Sequence, residues 1–123
     1  MAHKVLIIDD EDDIREVAAL SLESVAGWDV LTASSGAQGL AMAAREKPDA
    51  ILLDVMMPGM DGPTTVRELK KNPATARIPV VLLTAKVQAS DKKRFADLGV
   101  EAVLSKPFDP LKLSEQIAGI LGW

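Results

Sequence analysis

Four apolar runs in this chain each stop at a polar group. Val5-Leu6-Ile7-Ile8 stops at Asp9-Asp10, Ala50-Ile51-Leu52-Leu53 at Asp54, Val80-Val81-Leu82-Leu83 at Thr84, and Ala102-Val103-Leu104 at Ser105-Lys106. A short apolar run without alternation reads as a strand buried on both faces, the situation of a strand inside a helix-covered parallel sheet. In an open parallel sheet, ligands bind beyond the carboxyl ends of the strands. The pattern therefore predicts that Asp9, Asp10, Asp54, Thr84 and Lys106 converge on one crevice.

Helical patterns separate these runs. Ile14, Val17, Ala18, Ser21, Leu22 and Val25 recur at helical spacing, and Ala37, Leu40, Ala41 and Ala44 do so after Ser34-Ser35-Gly36, a capping sequence. Gly62-Pro63 opens a segment carrying Val66 and Leu69, and Asn72-Pro73 closes it. Residues 89–98 turn Phe95 and Leu98 inward and stop at Gly99. Asp109-Pro110 is expected to open a last helix striped by Leu113, Ile117, Ile120 and Leu121. Asp29-Val30-Leu31-Thr32-Ala33 alternates and reads as an edge strand. Five strand–helix alternations make an α/β chain with helices on both faces of the sheet.

The 123 residues suit one domain, expected to span 1–123 with no output domain because the last helix runs nearly to Trp123. There is no cysteine, so thiolate metal sites and disulfides are excluded. No apolar stretch approaches the roughly 20 residues of a membrane span, and no basic-then-apolar leader is present. A soluble cytoplasmic protein is expected. The net charge of −4 and the absence of a basic stripe argue against direct nucleic-acid binding. With no tyrosine, and only Trp28, Phe95, Phe108 and Trp123 as aromatics, no base-stacking surface is expected.

Three carboxylates side by side cannot all stay ionised without compensation by a proton or a cation. An oxygen-only ligand set favours a hard cation, and Mg2+ fits best. Lys106 adds a fixed positive donor and Thr84 a hydroxyl. Positioning and charge neutralisation are most of what phosphoryl transfer requires, and an aspartate can act as its nucleophile.

These residues carry a resemblance. Asp9-Asp10, Asp54 followed by Met57-Pro58-Gly59-Met60-Asp61-Gly62, Thr84-Ala85 and Lys106-Pro107-Phe108 stand in order along the chain. In this the chain resembles, end to end, the receiver domain of two-component response regulators. The resemblance implies a flavodoxin-like (βα)5 three-layer sandwich with a parallel sheet of order 2-1-3-4-5. It implies that Asp54 accepts a phosphoryl group from a phosphohistidine on a histidine kinase or histidine phosphotransfer protein. It implies that Asp10, Asp54 and the Met56 carbonyl bind Mg2+ directly, with Asp9 acting mainly through water. Lys106 would hold the phosphoryl oxygens, Thr84 would move toward them, and the Lys106–Pro107 bond would be cis. Signalling would pass to a protein partner through a conformational change, without turnover of an external substrate, and the chain would be a monomer or weak dimer.

The chain also departs from the family pattern. Val103 stands where receivers often have an aromatic residue, so the usual coupled movement of threonine and ring cannot occur in that form. Met56 and Lys86 occupy positions that influence attack of water on the aspartyl phosphate, and Met56 offers no hydrogen bond to orient it. Slow self-dephosphorylation is expected.

Simpler readings apply elsewhere. Glu11, Asp12 and Asp13 suit a helix start, and Lys70-Lys71 a helix end. Met56, Met57 and Met60 read as loop packing. His3 is expected to face solvent, and Trp28 and Trp123 to lie away from the crevice, with Trp123 frayed, covering an apolar patch or contacting a partner. A flavin carrier of the same topology would need a Ser/Thr/Gly phosphate loop where this chain has carboxylates. A haloacid dehalogenase-type phosphatase would need an acid at Met56. A P-loop NTPase would need a glycine-rich lysine motif, which is missing.

Overall fold

The computed structural model describes residues 3–85 and 89–123, without the side chains of residues 89–92. Five strands alternate with five helices: β1 (Lys4–Ile8), α1 (Asp12–Ala26), β2 (Asp29–Ala33), α2 (Gly36–Glu46), β3 (Ala50–Asp54), α3 (Gly62–Lys71), β4 (Val80–Thr84), α4 (Ala89–Ala96), β5 (Ala102–Ser105) and α5 (Leu113–Leu121). The strands form one parallel sheet in the order β2-β1-β3-β4-β5. This is the flavodoxin-like (βα)5 sandwich, with β2 at one edge as its alternating sequence predicts.

Every residue of β3 and β4 is buried, as unbroken apolar runs require of central strands. The two faces of the sheet make two separate cores. Leu6, Ile8, Ile51, Leu53, Val66, Leu69, Leu82 and Phe95 belong to one. Val5, Ile7, Leu22, Leu52, Val81, Leu83, Leu113 and Ile117 belong to the other. Successive strand residues alternate between them, so one strand serves both layers. Each fully buried Leu or Ile contributes about 1.5–3 kcal/mol relative to exposure. Val103 is half-buried against the first core.

Helix starts and stops follow local chemistry. Ser35 accepts a hydrogen bond from the Gln38 amide at 3.1 Å and Asp61 one from the Thr64 amide at 2.9 Å, each as an N-cap. Gly27 and Gly122 close α1 and α5 with φ of 70° and 72°, a left-handed conformation that glycine adopts without penalty.

The structure corrects several expectations about faces and boundaries. On α1, Ala18, Ser21 and Leu22 are buried, while Val17 and Val25 are exposed. On α2, Leu40 packs against the core as expected, but the residues buried there are Gly36, Gly39 and Ala43, whereas Ala37 and Ala41 face solvent. A Cβ on Gly39 would lie 2.3 Å from Ile8 Cδ1, so the helix reaches β1 by having no side chain there. A hydrophobic stripe cannot reveal a contact made by missing atoms. The last helix starts at Leu113 and not at Asp109-Pro110. Asp109 turns back on itself, its carboxylate accepting from the Leu111 amide at 2.9 Å and its carbonyl from Lys112 at 3.0 Å.

His3 is partly buried instead of facing solvent. Its ring stacks on Trp123 with centroids 3.7 Å apart and planes at 4°, and Trp28 meets both edge-on. Trp123 is thereby packed on one face, and His3 and Trp123 meet at the amino end of the sheet.

Candidate functional site

The carboxyl ends of β1, β3, β4 and β5 bring the polar groups together as the sequence predicts. The Asp9 amide donates to the Ala33 carbonyl at 3.1 Å, extending the β1–β2 ladder by one residue. Asp9 is 1% exposed, and its Oδ1 accepts from the Glu11 amide at 2.9 Å. Asp54 ends β3 and is 3% exposed. Thr84 ends β4, is buried, and lies in register with Ser105. The Lys106 amide donates to the Thr84 carbonyl at 2.8 Å, which sets the lysine beside the acids, and its bond to Pro107 is cis.

The loop after Asp54 is shaped by Gly62, whose amide donates to the Val55 carbonyl at 2.9 Å. A Cβ there would stand 2.7 Å from the Asp54 carbonyl oxygen and 2.8 Å from Val55 Cα. Only glycine lets α3 begin directly against the end of β3. Of the loop methionines, Met57 packs inward, but Met56 is 76% exposed. Packing therefore explains Met57 and leaves Met56 beside the site as an open side chain. Lys86 lies outside the described residues.

One carboxylate oxygen from each of Asp9, Asp10 and Asp54 lies within 4.8 Å of the other two. Lys106 Nζ is 3.1 Å from Asp9 Oδ2, 3.1 Å from Asp54 Oδ1 and 3.9 Å from Glu11 Oε1. One ammonium thus faces several acids. Burial pushes the Asp54 carboxyl up to about 6, with the Asp9 charge adding to the rise and Lys106 and the Met56 amide opposing it. Burial alone would lower Lys106, yet the Asp54 and Asp9 carboxylates outweigh it and hold the ammonium above its usual range.

Asp10 Oδ1 and Asp54 Oδ2 are buried without a hydrogen-bond donor, and Asp9 Oδ2 has no partner but the Lys106 ammonium at 3.1 Å, which it shares with Asp54. Buried acceptors left short in a native fold call for an ion or water. Three convergent carboxylate oxygens with no sulfur ligand fit a hard divalent cation, so the residues present suit Mg2+.

The structure adds two residues to those singled out from the sequence. Glu11, read as a helix-start acid, makes no capping bond and instead turns its carboxylate toward Lys106. Arg15 Nη1 donates to the Asp9 carbonyl at 2.8 Å, while its Nη2 pairs with Asp12. The one sequence signal for Arg15 is a lone cation among the acids that follow the first strand.

Comparison with known proteins agrees with this geometry. The family model for the response regulator receiver domain matches residues 5–118. The chain is 40% identical over 118 residues to the "DNA-binding dual master transcriptional regulator RpaA" of Synechocystis, covering 96% of this chain and 48% of that protein. It therefore spans about half the length of that relative. The chemotaxis response regulator CheY4 of Vibrio cholerae superposes with a TM-score of 0.91 at 31% identity, covering 98% of this chain and 99% of that one. The receiver domain of the sensor histidine kinase PA1611 of Pseudomonas aeruginosa superposes with a TM-score of 0.87 at 28% identity over all of both chains, and that structure holds a magnesium ion in its active-site cleft. Sheet order, acid cluster and sequence agree over nearly the whole chain: it belongs to the response regulator receiver domain family.

Proposed function

We propose that this chain receives a phosphoryl group on Asp54 from a phosphohistidine of a histidine kinase or histidine phosphotransfer protein. The observation that carries this reading is the cluster of three carboxylates with unpaired buried oxygens, held against Lys106. An Asp54 carboxylate oxygen attacks phosphorus in line. The bond from phosphorus to the donor imidazole nitrogen breaks, and that nitrogen keeps the electron pair. Asp10, Asp54, the Met56 carbonyl and, through water, Asp9 would hold Mg2+, which supplies charge neutralisation on the phosphoryl oxygens.

Lys106 holds Asp54 oriented beforehand and then accompanies the added charge, releasing its contact with the acid in favour of a phosphoryl oxygen. Thr84, one strand away, donates its hydroxyl to the same group. The new negative charge is the signal: it biases the loops after β4 and β5, and their changed surface is read by a protein partner. We assign the chain to the cytoplasm and to a monomer or weak dimer. The reader of the signal is either a separate protein or a further domain of a longer regulator, as the length of RpaA illustrates.

Incubation with acetyl phosphate and Mg2+, followed by intact-protein mass spectrometry, tests the reading. A gain of one phosphoryl group that needs both Mg2+ and Asp54, with none in Asp54→Ala, is expected. No gain in the folded native chain, from acetyl phosphate or from a phosphohistidine donor, overturns it. The exposed Met56 offers water no hydrogen bond at the site, so the phosphorylated form is long-lived and Met56→Asn shortens its lifetime. Equal lifetimes for the two proteins would remove Met56 from the account.

A further inference from the structure

We infer that Arg15 is a positioning residue for the acid cluster: its guanidinium clamps the loop between β1 and α1 and holds Asp9 and Asp10 in metal-binding geometry against their mutual repulsion. The inference rests on the function proposed above and goes beyond it, because Arg15 touches neither the phosphoryl group nor the metal ligands' carboxylates.

The loop after β1 must carry two acids toward a third. Like charges this close repel, and the cheapest relief is for the Asp9–Asp10 peptide to swing outward toward water. Asp9 is restrained on both sides of its own backbone. Its amide is tied to Ala33 at 3.1 Å and its carbonyl to Arg15 Nη1 at 2.8 Å. The carbonyl belongs to the same peptide plane as the Asp10 amide, so fixing it fixes the direction in which Asp10 leaves the strand. The second arm of the guanidinium, Nη2, holds the Asp12 carboxylate in the first turn of α1. One rigid planar fork thus spans the loop from its first residue to the start of the helix. The Arg15 side chain is 18% exposed while Asp12 is 84% exposed, so the inner bond to Asp9 is the sheltered one. A charge-assisted bond to a backbone carbonyl is stronger than a neutral one. A lysine carries the charge but not the two-pronged geometry.

Outer partners that orient metal ligands typically matter by about 10–100-fold in metal affinity. The test compares native chain, Arg15→Ala, Arg15→Lys and Asp12→Asn by calorimetric titration with Mg2+ and by thermal melting in chelator and in Mg2+. Arg15→Ala is expected to weaken Mg2+ binding about 10-fold and to shrink the upward shift of the melting point that Mg2+ produces. Its phosphorylation by acetyl phosphate should return to the native level at saturating Mg2+, because Asp54 and Lys106 are untouched. Arg15→Lys, which keeps one bond and the charge, should fall between native and Arg15→Ala. Asp12→Asn, which keeps the inner bond, should stay near native. An Mg2+ affinity of Arg15→Ala within twofold of native overturns the clamp, as does a defect in phosphorylation that saturating Mg2+ does not repair. If Arg15→Ala fails to fold, Arg15→Lys decides by the same titration. A native chain that itself binds no Mg2+ overturns the proposed function as well, which separates the two failures.

Discussion

The two ends of the sheet are built on opposite terms. At the amino end the described polar groups are paired. The Asp29 amide donates to the His3 carbonyl at 2.9 Å, the Asp49 amide to the Lys4 carbonyl at 2.7 Å, and the Lys4 amide to the Asp49 carboxylate at 2.7 Å. Three aromatic rings close over that end. At the carboxyl end, acids are buried with oxygens left unpaired, and Lys106 is shared between Asp9 and Asp54. The same strands therefore run from a region that gains stability to one that loses it. The lesson is that the site is held by packing elsewhere: strain or unpaired charge persists where the surroundings over-determine it.

The largest expected effect attacks the carboxyl end. The Asp54 carboxyl rises from 3.8 to about 6 on folding, so the folded state binds this proton more tightly than the unfolded state. That contribution to stability is fully present below about pH 4 and is lost as pH rises through about 6. Near neutral pH the ionised group works against the fold by up to about 3 kcal/mol. In chelator, Asp54→Asn should therefore raise stability near neutral pH by about 2–3 kcal/mol and flatten its dependence between pH 4 and 6. Urea unfolding of both proteins across that range checks it, and a less stable Asp54→Asn breaks the contrast between the two ends. Added Mg2+ should stabilise the native chain but not Asp54→Asn to the same extent.

A smaller effect sharpens the other half of the comparison. Trp123→Ala removes a stacked and an edge-on ring contact and should cost about 1–2 kcal/mol, with phosphorylation by acetyl phosphate unchanged. Loss of phosphorylation in a folded Trp123→Ala would mean that the two ends are not independent.

Smallest is a cap next to the site. Asp61→Ala removes the N-cap of α3 and should cost about 1 kcal/mol. Hydrogen bonding by Thr64 holds the Asp61 carboxyl below its usual range. Its contribution is therefore present above the ordinary carboxylate pKa and fades as pH falls through the lowered folded value, the opposite sign to Asp54. Melting curves of native and Asp61→Ala should converge in acid; curves that stay parallel would show that the cap does not act through its charge.

Much of this was legible along the chain. The unbroken apolar runs marked β1, β3, β4 and β5, and the polar residue ending each run marked the crevice, because strand ends in a parallel sheet all open on one side. Ser34-Ser35-Gly36 and Gly62-Pro63 announce helix starts through chemistry that acts over one turn, while the Asp61 cap became visible only in the structure. Expectations failed where contact depended on absence or distance. Along α2 the apolar pattern finds Leu40 but not Gly36 and Gly39, which contribute by leaving room. His3 was read as solvent-facing because its partners, Trp28 and Trp123, lie far along the sequence.

The sequence alone determined the alternation of elements, the residues at each strand end and the excess of acid over base at the site, since these follow from local periodicity and residue chemistry. Only the tertiary structure decided which carboxylate oxygens go without a donor, that Lys106 is shared between Asp9 and Asp54, that Arg15 reaches back to the Asp9 carbonyl, and that three rings meet at the far end of the sheet. The physical reason is range. Periodicity and capping act within a few residues, whereas burial, repulsion between charges and the geometry of a guanidinium fork depend on distances that exist only once the chain has closed on itself.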